Sequence, residues 1–479
     1  MATSPPSLSL SPPNHAPPSF SPPSSILIIG SGVFGLGTAW ALARRDLFSQ
    51  SSITVVDRAD PADRDVFPAP DAASIDTSRV VRADYADAAY AALAAEAQVQ
   101  WRSQAKPSDL GAQGRYHESG LVLVADSAPV RRPSEVVSKS EMTGMDYTRF
   151  SWANVLSLAS RNPGLVGPVQ ELPDVAAIRD RVGTGGSSGS WGYVNEGSGW
   201  ANAQTSMAWL FDQVKATGRV RFISGTIASL EHTGTTVTGA SLSDGSVLSA
   251  ELVIVAAGAW TGSLVNLSGQ AIATGQVMGY LDLTEAEQER LSTMPVVLNM
   301  STGLFVIPPR NRVLKVARHA YGYLNPTALP TAPLSSTITS ATSASHPLTH
   351  LSDPGLSIPK EGADELRQAL RDMVSLEGIA ERPFSRTRLC WYMDTPTADF
   401  LVDYHPDFQG LFIATGGSGH AFKFMPVIGD KITDCIARKC PPEFKAKWSW
   451  KLTTNFVFTE DGTRGSKPGL VLADELSTS

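Results

Sequence analysis

The stretch Ile26-Leu27-Ile28-Ile29-Gly30-Ser31-Gly32-Val33-Phe34-Gly35 constrains this chain more than any other. A short apolar run ending in Gly-x-Gly-x-x-Gly reads as a buried parallel strand, a tight turn and the start of a helix. Gly30 permits the turn, and Gly32 lets the backbone approach a pyrophosphate. Val33 and Phe34 begin the helix, whose free N–H groups face phosphate, and Gly35 lets that helix pack on the strand. A second strand, Ile53-Thr54-Val55-Val56-Asp57, ends in an acid placed to accept from a ribose 2′-hydroxyl. Together these features predict an adenine dinucleotide site. Taken alone, the glycine turn serves a nicotinamide or a flavin dinucleotide equally well.

The 479 residues suffice for two or three domains with a large core. A net charge of −7, with no basic run interleaved with aromatics, gives no support for nucleic-acid or anionic-membrane binding. No apolar stretch reaches the length of a membrane span. The three cysteines, Cys390, Cys435 and Cys440, are too few and too clustered for a disulfide framework, and their spacing suggests no metal site. Met1 to Ser25 is rich in Ser and Pro and reads as a disordered tail rather than a secretory or mitochondrial signal. The end Leu476-Ser477-Thr478-Ser479 is not a peroxisomal address of the Ser-Lys-Leu type, so the cytoplasm is the expected location.

After Asp57 the chain passes a proline- and acid-rich loop, an unusual pair of arginines (Arg79 and Arg82) in an apolar setting, and a helix from Tyr90 to Arg102. Short β segments begin at Tyr116. Gly199-Trp200-Ala201-Asn202-Ala203 is read as opening a helix, and a β-meander with an Asp244-Gly245 turn follows. Leu252-Val253-Ile254-Val255 returns as a buried strand ending in small residues, where a ligand can approach the backbone. A second β-rich region covers Gln276 to Tyr323. Asn325 to Gly362, rich in Ser, Thr and Pro, reads as a mobile insertion, and Glu365 to Ser375 as an amphipathic helix. Near the end, Leu411-Phe412-Ile413-Ala414-Thr415-Gly416-Gly417 repeats the strand–glycine–helix logic of the opening motif.

Four blocks together resemble the monomeric sarcosine oxidase family of D-amino-acid-oxidase-like flavoproteins. They are the opening glycine motif, Ser74-Ile75-Asp76-Thr77-Ser78-Arg79-Val80-Val81-Arg82-Ala83-Asp84-Tyr85, Ala257-Gly258-Ala259-Trp260-Thr261, and Gly419-His420-Ala421-Phe422-Lys423-Phe424. The resemblance is to its fungal pipecolate, saccharopine and fructosyl-amino-acid oxidases, and it runs from about Ile26 to Ile436. It implies an α/β fold with a discontinuous, glutathione-reductase-like FAD-binding domain (26–115, 192–265, 386–440) and a β-sheet-rich substrate domain (116–191, 266–385). Residues 441–479 form a C-terminal extension in this reading.

The cofactor implied is FAD, bonded through an 8α thioether to Cys390 in Arg388-Leu389-Cys390-Trp391-Tyr392; read from composition alone, Cys390 is a buried structural cysteine. Ser74, Arg79, Gly258, Trp260, Gly417 and Gly419 match positions near the cofactor. Arg82 and Lys423 match a clamp for the substrate carboxylate, with Lys423 also beside the flavin. Lys315 matches the lysine at which such oxidases activate dioxygen, where a cation stabilises developing superoxide. His319 matches an active-site histidine, and is otherwise a satisfied strand histidine.

Asp76-Thr77-Ser78-Arg79 departs from the pattern of glycated-amino-acid oxidases and favours the sarcosine, pipecolate and saccharopine side. The expected activity is therefore oxidation of a secondary amine of an amino acid to an imine, with dioxygen reduced to hydrogen peroxide, by a monomer that binds a small amine. A fructosyl-amino-acid oxidase or a tailoring oxidase of a fungal natural-product pathway is the alternative, and a flavoprotein that does not use dioxygen is the rival from another class.

Overall fold

The apolar run at the head of the chain forms the strand Ser25–Ile29. Residues alternate between the two faces of a strand, and here both faces are buried. Ile26 and Ile28 join one core, Leu27 and Ile29 the other. That double burial is what a central parallel strand requires. Leu252–Val255 and Ser52–Asp57 flank it, both parallel to it. The six-stranded sheet runs Leu401–Tyr404, Leu411–Thr415, Leu252–Val255, Ser25–Ile29, Ser52–Asp57, Val220–Ser224, with the edge strand Leu401–Tyr404 antiparallel. In this computed structural model the described residues are 20–477 apart from 61, 62, 64, 128–140, 163, 336–342, 452–457 and 460.

Two helices that start from the ends of parallel strands cross on this sheet, Val33–Arg44 and Met425–Ile436. They meet at Gly37 and Gly429, where a Cβ on Gly429 would sit 1.9 Å from the Gly37 carbonyl oxygen. Only residues without a side chain let two helix backbones approach so closely.

A second sheet of eight strands carries the other half of the molecule. Its order is Arg386–Asp394, Ile272–Asp282, Val313–Arg318, Leu304–Arg310, Val296–Asn299, Leu121–Ala125, Trp191–Asn195, Val169–Leu172. The longest pairing joins Arg386–Asp394 to Ile272–Asp282 antiparallel, setting Gln276 opposite Cys390. Lys315 on Val313–Arg318 lies opposite Tyr280. No helix among the described residues is long and apolar enough to cross a membrane.

Three expectations are corrected here. Gly199–Ala201 is a strand paired with Arg79–Val81, and the helix begins after the Asn202 cap, because the β-ladder partner outweighs local helix propensity. Order begins before residue 25: the Ser24 amide and hydroxyl donate to Glu251 at 2.7 and 2.9 Å, and Phe20 packs edge-on against Phe48. Residues 1–19 lie outside the described residues.

The stretch expected to be a mobile insertion is tied down where it is described. Pro326–Ala328 pairs with Ser343–Ser345, Ser345 donates to Ala273 O at 2.6 Å, and the Trp391 indole donates to Leu348 O at 2.7 Å. The C-terminal extension packs beside the second sheet. Gly465 N donates to His319 O at 3.0 Å, and the Arg464 guanidinium is buried against Asp394 at 3.1 Å.

Candidate active site

The glycine turn has the geometry that close phosphate approach needs. Gly30 sits at φ +104°, a Cβ there would meet Ala256 O at 2.5 Å, and a Cβ on Gly35 would lie 1.9 Å from Gly30 O. Gly32 differs: a Cβ would find only Ser74 Oγ, 3.9 Å away, because that side of the backbone opens on a cavity. The cavity measures about 760 Å³, and Gly30, Gly32, Val33, Phe34, Asp57, Ser74, Arg79, Gly258, Trp260, Gly417 and Gly419 all line it. Gly35 is absent from the lining; its part is the strand–helix contact. Asp57 accepts from Ser31 N and Oγ at 2.6 and 2.8 Å, which orients its carboxylate at the end of its strand. Arg58, which the sequence did not single out, stacks 4.1 Å over the Trp260 ring and is held by buried Asp71 at 2.5 Å.

A smaller chamber of about 80 Å³ adjoins this cavity, and Arg79, Tyr392, Gly419 and Phe422 line both. Arg82, Lys315, His319 and Lys423 converge on the chamber: Lys315 from the strand Val313–Arg318, Arg82 and His319 from just past the ends of Arg79–Val81 and Val313–Arg318, and Lys423 from the 3-10 turn Ala421–Phe424. Gly419 makes room there: a Cβ on it would meet Tyr392 Cε2 at 2.4 Å and His319 Cε1 at 2.9 Å.

Each cation in the chamber has a distinct setting. Lys315 Nζ lies 2.5 Å from Asp76 Oδ2 and donates to Ser78 O at 2.8 Å. Burial lowers the Lys315 ammonium to about 7, with Asp76 opposing the fall. Burial would raise Asp76, but Lys315, Arg79 and Arg388 outweigh it and keep the carboxylate ionised. Lys423 Nζ donates to Tyr85 Oη at 2.8 Å and to His420 O at 3.0 Å, and burial together with Arg82 pushes it well below its ordinary range. Tyr85 Oη in turn lies 2.9 Å from His420 Nδ1, while His420 Nε2 meets Ala398 O at 2.8 Å.

Arg82 is buried between Tyr85 and Tyr147, with a single long contact from Nη2 to Tyr147 Oη at 3.5 Å. Its Nη1 has no hydrogen-bond partner among the described residues. A buried guanidinium with open donors is costly unless an anion completes it. His319 is held neutral by burial and then by the positive charges of Arg464, Arg82 and Lys423 around it.

Cys390 is fully buried on the strand Arg386–Asp394, beside Met278, Tyr280 and Ala317. Its sulfur is 3.4 Å from Arg79 Nη2, and its neighbours Trp391, Tyr392 and Met393 line the large cavity while Cys390 itself does not. Thr463, from the C-terminal extension, also lines the chamber. Nothing in Asp461-Gly462-Thr463-Arg464-Gly465 signals this beyond an Asp-Gly turn, because the residues it pairs with, around Ala320, are distant in sequence. Tyr85 and His420 stand inside the quoted motifs, but their mutual contact is a tertiary fact.

A glycine-walled dinucleotide cleft opening on a buried cationic chamber defines a nucleotide-dependent oxidoreductase of the flavin type. Residues 25–435 match the family model described as FAD dependent oxidoreductase, DAO, and the chain belongs to that family. Its cofactor is FAD, and the open side of Gly32, the oriented Asp57 and the cavity volume fit such a group.

The amino acid oxidase imqH of Aspergillus flavus is 33% identical over 456 residues, covering 86% of this chain and 93% of that protein. L-saccharopine oxidase of Schizosaccharomyces pombe is 27% identical over 441 residues, covering 89% and 93%. A fructosyl peptide oxidase, solved as a thermally stable mutant, shares the fold with a TM-score of 0.77 at 22% identity, covering 94% of this chain and 98% of that one. Fructosamine oxidase of Aspergillus fumigatus (Amadoriase II) superposes with a TM-score of 0.72 at 25% identity, covering 95% and 96%.

Proposed function

We propose that this protein oxidises a secondary amine of an amino acid, with dioxygen as electron acceptor and hydrogen peroxide as product. The observation that carries the reading is Arg82 Nη1, a buried donor with no partner among the described residues, which lines with Lys423 a chamber that joins the dinucleotide cavity. The two cations form a slot for one carboxylate, a planar fork beside a point charge. A carboxylate held there opposes the influences that depress Lys423 and so favours its charged form. FAD, when bound, would supply the redox chemistry, taking up a hydride equivalent from the C–H bond beside the amine nitrogen for delivery to dioxygen.

The chain's own residues prepare the substrate. Burial and the same positive charges that hold His319 neutral disfavour an ammonium, so the substrate nitrogen sheds its proton on entry. Tyr85 and the His420 carbonyl take two N–H groups of Lys423, leaving one to face the substrate. Lys315, next to Arg79 at the junction of the cavities, supplies the cation for dioxygen reduction. The oxidase names of the relatives support this reading.

A thioether from Cys390 to the flavin belongs to the proposal. Cys390 would hold the group through its sulfur, an oxidative attachment in which dioxygen would take up the two electrons and two protons and leave as hydrogen peroxide. Acid precipitation tests it: a yellow pellet supports the bond, and a colourless pellet under a yellow supernatant refutes it. A peroxide-release screen over sarcosine, pipecolate, saccharopine, N-methyl amino acids and fructosyl-valine tests the activity. Silence with all of them, by flavin-loaded protein, would refute the oxidase reading.

A further inference from the structure

We infer that the Ser-, Thr- and Pro-rich stretch after Asn325 is part of the cofactor site. Its described residues form a strap at the mouth of the dinucleotide cavity, clasped by Thr349 to Asp71, that helps retain the adenosine half of FAD. The strap acts on the family's cofactor, whichever amine is oxidised, so silence in the peroxide screen leaves it untouched.

Leu329, Pro330, Thr331 and His346 all line the large cavity. Pro330 and Thr331 are also exposed to solvent, which places the strap at the cavity's mouth. It stands at the Asp57 end, where an acid accepts from an adenosine ribose. Arg58, the next residue, lines the same cavity, and burial and behind it the Arg58 charge lower the His346 imidazole. The strap is anchored on both sides. Its arms pair with each other, Pro326–Ala328 against Ser343–Ser345. One arm runs on to Leu334, whose N–H donates to Leu264 O at 3.0 Å and whose carbonyl accepts from Asn266 N at 2.9 Å, a few residues past Trp260. The other passes Leu348, whose carbonyl takes the Trp391 indole, and reaches Thr349, whose hydroxyl donates to Asp71 Oδ2 at 3.1 Å. Asp71 Oδ1 takes Arg58, and Arg58 stacks on Trp260. Thr349 and Asp71 are only 4% and 2% exposed, so water does not compete for the clasp. One buried carboxylate therefore joins the strap to a cation and a ring on the cavity wall.

The test uses the full-length chain carrying Cys390→Ser, so that FAD exchanges freely and its binding is read by flavin fluorescence. Thr349→Val removes the donor to Asp71 and is expected to weaken FAD binding about three- to tenfold, with dissociation faster by a similar factor. The apoprotein should melt at the same temperature with and without the substitution, while the rise in melting temperature on adding FAD shrinks. Arg58→Ala and Thr349→Val meet at Asp71, so in the double variant their effects on FAD binding should be less than additive. Ser345→Ala loosens the strap away from Asp71 by deleting the bond to Ala273 O, and should weaken FAD binding about two- to fivefold.

Unchanged FAD affinity in Thr349→Val overturns the inference, as does strict additivity in the double variant. A fall in apoprotein melting temperature that accounts for the whole loss of FAD binding also overturns it, since the clasp would then serve the fold alone. If Thr349→Val does not fold, Ser345→Ala decides, and unchanged affinity there is fatal to the strap.

Discussion

The large cavity and the chamber meet at Arg79, Tyr392, Gly419 and Phe422, yet they are made of different materials. The first is walled where it begins by backbone and small residues such as Gly30, Gly32, Ala256, Ala257 and Gly258, on the ends of parallel strands. The second is walled by buried charge, with Arg82, Lys315 and Lys423 set among aromatic and thioether side chains. Seating a large nucleotide takes room and N–H groups, which absent side chains provide. Moving electrons from one small molecule to another takes fixed charge in a dry space, which only side chains provide. The first surface fails when anything is added, the second when anything is removed.

Adding one methyl group should therefore have the largest effect. Gly35→Ala places a carbon 1.9 Å from Gly30 O and is expected to abolish flavin retention, read as loss of visible flavin absorbance in the purified protein. Full loading would show that the strand–helix joint yields, and that the cleft is softer than its geometry indicates.

Removing charge comes next. Lys315→Met should slow dioxygen consumption by the reduced enzyme about a hundredfold while sparing reduction by substrate. Because burial lowers Lys315 to about 7, the lysine is cationic below that pH and neutral above it. The wild-type rate should fall as pH rises through about 7, and the variant should be slow and flat. A wild-type rate that climbs over the same interval would remove Lys315 from this role.

Tyr85→Phe deletes the hydroxyl between Lys423 and His420. A hydrogen bond to a charged group is worth about 1.5–3 kcal/mol, so KM should rise roughly tenfold or more with kcat little changed. A fall in kcat instead would move Tyr85 from holding substrate to the reaction itself. The smallest effect belongs to the outer rim of the large cavity. Arg58→Ala loses a stack on Trp260 worth about 0.5–1 kcal/mol, and in a Cys390→Ser background FAD should bind about two- to fivefold more weakly by fluorescence titration. No change would mean the stack serves the fold alone.

The same contrast governs what the sequence alone discloses. Gly30 to Gly35 and Asp57 lie within one strand–helix–strand unit, so spacing alone describes the dinucleotide cleft. Arg82, Lys315 and Lys423 come from distant segments, and no local pattern puts them in one chamber; only the resemblance did. The Tyr85–His420 contact, the Arg58–Trp260 stack and the entry of Thr463 had no such guide. Each depends on contacts between segments far apart in sequence rather than on periodicity. Gly199–Ala201 was misread for a related reason, since its strand exists only through pairing with Arg79–Val81 and Tyr116–His117.

The order of strands around Ser25–Ile29 also bears on how the protein is made. Its neighbour on one side is Leu252–Val255, followed by Leu411–Thr415, so this strand cannot complete its ladder until over two hundred further residues have been made. At about 5–20 residues per second, that wait lasts on the order of 10–45 s. The glycine turn spends it as a half-built edge, and the helix contact at Gly37 and Gly429 must come later still. Cofactor capture is thus an event of the finished chain, and a nascent chain stalled midway would expose one unpaired edge of an apolar strand.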